Sequence, residues 1–265
     1  MPRFAANLST LFTEVPLADR FERAARAGFS TVELQFPYEL PAAELRSLLA
    51  SYRLSMVLHN LPAGDWAAGD RGIAVDPARQ AEFRAGVGLA VRYATTLGVP
   101  RLNCLAGIAP PGIDEATARR TLVENLRYAA GELRKAGIGL VVEPLNTRDV
   151  PGFWLDGSTK AIDVLDEVDC ANAQLQYDIY HAQRGEGELA GTLERLLPRI
   201  GHVQVADNPG RHEPGTGEIN YGFLFAHLDR IGYRGYIGCE YQPANGTEVG
   251  LAWLEAARRQ WRATC

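Results

Sequence analysis

Four oxygen-bearing side chains end or nearly end apolar runs: Glu143 after GIGLVV, Asp178 after AQLQY, Gln204 within IGHVQVAD and Glu240 after GYIGC. A buried strand has no cheap place for charge, so each of these groups stands at a strand's exposed end or has a partner. Taken singly they have ordinary explanations. Glu143 can pair with a loop arginine, Asp178 can cap the next helix, Gln204 can bond to backbone and Glu240 can face solvent. Taken together, at corresponding levels of consecutive strands, they converge on one point. Three carboxylates at such range repel one another and take raised pKa values unless something positive sits among them. A divalent cation is the economical solution, and a shell of three carboxylates and one amide suits Mg2+ or Mn2+ better than zinc.

The elements that must bring these groups together are short β-rich runs alternating with helical spacing. The runs are 3–8, 31–36, 54–60, 101–107, 137–143, 173–179, 200–207 and 235–240, each bounded by Gly, Pro, Asn or Asp. Between them the pattern predicts helices over 17–28, 41–51, 77–97, 114–136, 158–168, 187–198, 219–231 and 247–261. Pro41 and Pro77 open two of them, and Gly28, Gly98 and Gly137 close three. Within 114–136, Leu122, Leu126, Ala129, Ala130 and Leu133 fall on one stripe. Eight strands alternating with eight helices and no linker predict α/β architecture, a single (β/α)8 TIM barrel domain spanning 1–265. The open doubly wound sheet is the rival, but no GxGxxG follows a strand. P-loop, GxSxG and HExxH patterns are absent as well.

Composition narrows the function classes. With 46% hydrophobic and 22% charged residues the chain is globular, and a net charge of −5 argues against a nucleic-acid partner. Cys104, Cys170, Cys239 and Cys265 form no CxxC pair, which points to a reducing, cytoplasmic setting without a disulfide framework. MPRFAANLST has no sustained apolar h-region, and no stretch approaches the roughly 18 apolar residues of a membrane span. No membrane partner is expected.

The chain resembles the hydroxypyruvate isomerases, within the xylose-isomerase-like barrel superfamily. The resemblance runs through almost the whole sequence and is densest in HNLPAGDWAAGDRGIA (59–74), VEPLNTRDVPGFWL (142–155), QYDIYHAQ (176–183) and QVADNPGRHEPGTGEINY (204–221). It implies that Glu143, Asp178, Gln204 and Glu240 bind the divalent cation, with Glu143 and Glu240 doubling as an acid/base pair. Related sugar epimerases carry histidine where Gln204 stands. The implied reaction interconverts hydroxypyruvate and tartronate semialdehyde through a metal-stabilised enediolate, without a redox cofactor. Close relatives isomerise four-carbon 2-oxo acids or epimerise free sugars, and one extra carbon leaves few marks in a sequence. A homo-oligomer is expected from the resemblance alone.

The expected partner is therefore a small 2-oxo hydroxy acid. His181, three residues after Asp178, matches the histidine with which related barrels hold substrate oxygen. Arg211 lies in a Gly/Pro-rich loop after the seventh strand, where its fork can grip a substrate carboxylate. His59 and Asn60 end the third strand, and His59 serves either substrate or core packing. The long segment 61–77 carries Trp66, a candidate shield against water, and Arg71, a candidate contact to an anionic substrate. Cys239, next to Glu240, is turned away from the barrel interior by strand alternation. Two other classes compete. A metal-dependent nuclease calls for further histidine ligands and a basic surface, and the chain has five histidines and an acidic balance. A silent binding barrel would lack one of the paired glutamates, and both are present.

Overall fold

The computed structural model describes residues 3–262. Cys265 and the first two residues of MPRFAANLST lie outside the described residues, as does the end of the AARRQWRATC tail.

Eight parallel strands close into one barrel in sequence order: β1 (Arg3–Asn7), β2 (Thr31–Leu34), β3 (Ser55–Asn60), β4 (Arg101–Cys104), β5 (Gly139–Val142), β6 (Ala173–Asp178), β7 (Ile200–Val205) and β8 (Tyr236–Cys239). The helices of the first half are α1 (Leu17–Arg26), α2 (Ala42–Tyr52), α3 (Gln80–Leu97) and α4 (Glu115–Lys135). The second half contributes α5 (Ser158–Val168), α6 (Ile179–Gly185), α7 (Leu189–Leu196), α8 (Tyr221–Arg230), α9 (Thr247–Gly250) and α10 (Ala252–Arg262). The chain is thus a single (β/α)8 TIM barrel. None of the described helices is long and apolar enough to cross a membrane.

The helices differ from the sequence expectation at several points: the helix expected over 247–261 divides into α9 and α10, and three further differences have a clear local reason. Pro41 is the N-cap of α2 rather than its first helical residue. The segment from Pro77 opens as a 3-10 turn, Pro77–Arg79, because the Asp76 carboxylate accepts from the Ala78 amide at 2.9 Å. The short α6 is absent from the sequence reading. It starts directly at the end of β6, where Asp178 Oδ1 accepts from the amides of Tyr180 at 2.7 Å and His181 at 3.3 Å.

The main core lies between the barrel wall and the helices. In α4 the predicted stripe is buried, with Leu122, Leu126, Ala129, Ala130 and Leu133 at 1% exposure or less. Asp114 caps that helix through the Thr117 amide at 2.6 Å. Inside the barrel the apolar content is small: Ala5, Val57, Leu58 and Val141 form a separate cluster. The rest of the interior toward the carboxyl ends of the strands is polar, with Asn7, Glu33, Asn103, Gln176, His202 and Gln204 at 1% exposure or less. A barrel interior filled with hydrogen-bonding groups is costly unless every group is matched, and it therefore marks the end where the chemistry sits.

Candidate active site

Strand alternation places the four predicted side chains on the inner surface at the carboxyl ends of their strands. Asp178 and Gln204 are cross-strand neighbours, and Glu143 and Glu240 follow directly on β5 and β8. All four are buried, at 5%, 2%, 1% and 5% exposure for Glu143, Asp178, Gln204 and Glu240.

The two glutamates have unequal surroundings. Glu240 is met by four donors: Asn7 Nδ2 and Gln204 Nε2 on Oε2, both at 2.8 Å, and Gln35 Nε2 at 3.1 Å and Arg211 Nη2 at 2.9 Å on Oε1. Glu143 receives Asn103 Nδ2 at 2.8 Å, and the same nitrogen reaches Asn60 Oδ1 at 3.2 Å. Burial raises the pKa of both, and the nearby carboxylates add to it. Glu240 is pushed up to about 7, with Arg211 opposing the rise. Glu143 goes well above the carboxylate range through burial and the charges of Glu240 and Asp178, so it holds its proton more firmly. Asp178 is raised by burial, against the pull of Arg211 and the two amides it caps.

Arg211 is delivered by the loop after β7. Asp207, fully buried, accepts from the amides of Gly215 at 2.8 Å, Ile219 at 3.1 Å and Asn208 at 2.9 Å, which ties the loop into a compact turn. Gly210 and Arg211 both take positive φ, 97° and 56°, and the Gln242 amide donates to the Arg211 carbonyl at 2.8 Å. The guanidinium stands 2.9 Å from Glu240 and 3.9 Å from Asp178, and its carbon lies 5.2 Å from the Tyr180 ring centre. Burial works against its charge, but Glu240, Asp178 and Glu143 outweigh that, and it is held more firmly protonated than a free arginine.

His181 is buried against Asn146. Its Nδ1 accepts the Asn146 backbone N–H at 3.2 Å and lies 2.7 Å from Asn146 Nδ2. A backbone N–H can only donate, so the proton of the neutral ring is on Nε2. Burial, with Arg211 and Arg184 nearby, holds the ring neutral well below its ordinary range. His181 is therefore an N–H donor within this cluster.

The donor set fits a hard divalent cation. One ligating atom from each of Glu143, Asp178 and His181 falls within 4.8 Å of the others, and Asp178 Oδ2 is buried without a hydrogen-bond partner. An unpartnered buried carboxylate oxygen calls for a cation or a donor. Because His181 presents N–H, carboxylate oxygens are the better ligands of that trio. Gln204 in this arrangement gives its nitrogen to Glu240, while its Oε1 accepts from Gln176 Nε2 at 2.6 Å.

The remaining expected residues are not brought to this point. His59 is adjacent to the inward-facing Asn60 and turns to the helix side. There its Nδ1 meets the Asn60 carbonyl at 3.0 Å and its ring packs edge-on to Tyr38 at 5.8 Å. Burial lowers its pKa to about 4. Arg71 folds back on its own loop, 4.2 Å over the Trp66 ring, and donates to the Trp66 and Asp70 carbonyls at 3.2 and 2.7 Å. That loop is pinned to the one after β4, since a Cβ at Gly72 would lie 2.4 Å from the Leu105 carbonyl oxygen. Trp66 leans on Phe36, with ring centres 5.3 Å apart, at the carboxyl end of β2. Sequence reasoning missed Asn7, Glu33, Gln35 and Asn103. The strand-end rule that found Glu143 would have found three of them had it been applied to RFAAN, TVELQ and RLNC.

Known proteins place this barrel in a family. The chain belongs to the family described as Xylose isomerase-like TIM barrel, which matches residues 21–257. Within it, the chain is 53% identical to the hydroxypyruvate isomerase of Escherichia coli (strain K12), over 97% of this chain and 100% of that one. It is 47% identical to the 2-oxo-tetronate isomerase of Cupriavidus necator, over 96% and 98% of the two chains. A solved structure from Brucella melitensis, described as an AP endonuclease of family 2, superposes with a TM-score of 0.94 at 46% identity, covering 97% of this chain and 99% of that one. The resemblance seen in the sequence is thus met, and the protein is an isomerase.

Proposed function

We propose that the protein interconverts hydroxypyruvate and tartronate semialdehyde by moving a proton between adjacent carbons. The observation that carries this reading is the unequal pair: Glu240 held by four donors, Glu143 by one from Asn103. Four donors favour the carboxylate, and a poorly supplied buried carboxyl favours the acid, so the pair can accept and donate in the same turnover. In the forward direction Glu240 takes a proton from the CH2OH carbon, whose C–H electron pair becomes a C=C bond to the former carbonyl carbon. Glu143 returns a proton to that second carbon. The hydroxyl proton of the first carbon is released as its aldehyde forms, and the second carbon's oxygen gains one. No electrons leave the substrate. His181 donates its Nε2 proton to a substrate oxygen. Arg211, whose Nη2 is committed to Glu240, has its remaining N–H groups for the substrate carboxylate.

Glu143, Asp178 and Glu240 would hold a Mg2+ or Mn2+ ion, while Gln204, the fourth ligand expected from the sequence, stands beside them with its nitrogen on Glu240 and its oxygen on Gln176. That ion supplies Lewis-acid stabilisation of the oxygens that become negative. Free thiols at Cys104, Cys170 and Cys239 support a reducing cytoplasmic setting. A second reading, a four-carbon 2-oxo acid as substrate, is favoured by the likeness to the 2-oxo-tetronate isomerases. The nuclease reading finds no support in the charge balance.

The test is a panel of three- and four-carbon 2-oxo acids with purified protein, run in D2O with and without chelator. Turnover of hydroxypyruvate with solvent deuterium entering the product is expected. Preference for the four-carbon acid would select the second reading. Strictly conservative hydrogen transfer would exclude the proton-shuttle route.

A further inference from the structure

Beneath the acid/base pair lies a carboxylate that this mechanism does not use. Glu33, in β2, is fully buried. Its Oε1 accepts from Asn7 Nδ2 at 3.1 Å and from Gln204 Nε2 at 2.7 Å, and its Oε2 lies 2.7 Å from His202 Nε2. The same two amide nitrogens reach Glu240 Oε2, each at 2.8 Å. A carboxamide nitrogen has two hydrogens, so each amide gives one to Glu33 and one to Glu240. The two carboxylates are braced against each other by two amides. Strand β8, separated from β2 by β1, makes room for this: a Cβ at Gly238 would lie 2.3 Å from Glu33 Oε1.

We propose that Glu33 is a positioning residue for the reaction, acting on Glu240 through the carboxamides of Asn7 and Gln204. Glu33 does not itself touch the reacting carbons. Its acceptors make the nitrogen end of each amide the favoured end on this side. Without them, one N–H of each amide is left without a partner in a water-poor interior, and each amide gains freedom to rotate away from Glu240. A glutamine at 33 keeps the brace, because its oxygen can accept from the amides. Its nitrogen can then face His202, whose unpartnered Nδ1 takes the ring proton in exchange. A methionine of similar volume keeps the packing and removes the acceptors.

The proposal rests on Glu240 being one of the acid/base pair. Its test is steady-state kinetics and crystal structures of Glu33→Met and Glu33→Gln. Glu33→Met is expected to lose about 10- to 100-fold in kcat, the range for residues that orient a catalytic group, with KM within about twofold. Glu33→Gln is expected to recover most of the loss, and crystals of Glu33→Met to show the Glu240 carboxylate displaced. Full kcat in Glu33→Met, equal damage in both variants, or an unmoved Glu240 would overturn the proposal. Should Glu33→Met fail to fold, Gly238→Ala displaces the Glu33 carboxylate without changing its chemistry. A fall in kcat with Glu240 shifted then supports the brace, and unchanged kcat with Glu33 displaced refutes it. Wild-type protein inactive on every 2-oxo acid would sink the substrate reading, while the position of Glu240 in Glu33→Met crystals would still decide the role of Glu33.

Discussion

Glu143 and Glu240 are the same side chain in unequal surroundings, one donor against four, and substitution should separate them. Glutamine at either position removes proton transfer, and kcat is expected to fall by at least about 100-fold in both variants. Stability should move differently. A glutamine at 240 sets an N–H2 group against two of the four donors, whichever oxygen it replaces, and an opposed buried donor costs about 1–3 kcal/mol. A glutamine at 143 resembles the protonated acid that burial already favours there, so its Tm should match wild type or exceed it. Thermal unfolding beside the activity assay checks both. His59 makes a pH prediction. Its folded pKa of about 4 is below the unfolded value of about 6.5, so the unfolded state takes the proton first. The stability its neutral form allows is present above pH 6.5 and declines as pH falls toward 4, by up to about 1.4 kcal/mol per unit. In His59→Phe, Tm should depend less steeply on pH across that window.

At the level of elements, the site depends on joints between strands and the loops after them. Asp178 uses one oxygen to start α6 and leaves the other buried without a hydrogen bond, so a helix cap and a candidate ligand share one side chain. Gly72, at φ 115° and against the Leu105 carbonyl, locks the loop after β3 to the loop after β4. Gly72→Ala is expected to cost about 1–3 kcal/mol through backbone strain, and to raise KM more than it lowers kcat, because the Trp66 segment shifts while the carboxylates stay. Urea unfolding and steady-state kinetics measure the two effects. Leu126, fully buried in α4, is a control for the scaffold. Leu126→Ala should lower stability by about 2–5 kcal/mol with kcat of the folded fraction unchanged.

For the molecule as a whole, the barrel divides labour between an apolar shell and a polar axis. Dispersion and burial between the helices and the sheet hold the fold, and the axis near the carboxyl ends is left for charged groups. Removal of metal by chelator should lower turnover, and added Mg2+ or Mn2+ should restore it, as read by the same isomerisation assay. Strand count, order and the residues at four strand ends were legible in the sequence. Period-2 alternation, glycine and proline punctuation and the stripe of α4 are local signals that survive into the tertiary structure. Pattern alone left α6 unread, since a helix of seven residues begun by the last residue of a strand has no periodicity to show.

What the sequence determined by itself was the barrel, the carboxylate cluster and the family, because strand ends in a closed parallel barrel meet at one face whatever the details of packing. What the tertiary structure decided was how those groups divide their roles. Donor count around Glu143 and Glu240, the tautomer of His181, the outward turn of His59 and the brace from Glu33 all depend on partners far apart in sequence. Glu33 and Gln204 are separated by 171 residues along the chain and by 2.7 Å in space. A hydrogen bond is a statement about distance and direction, and those exist only once the chain has closed on itself.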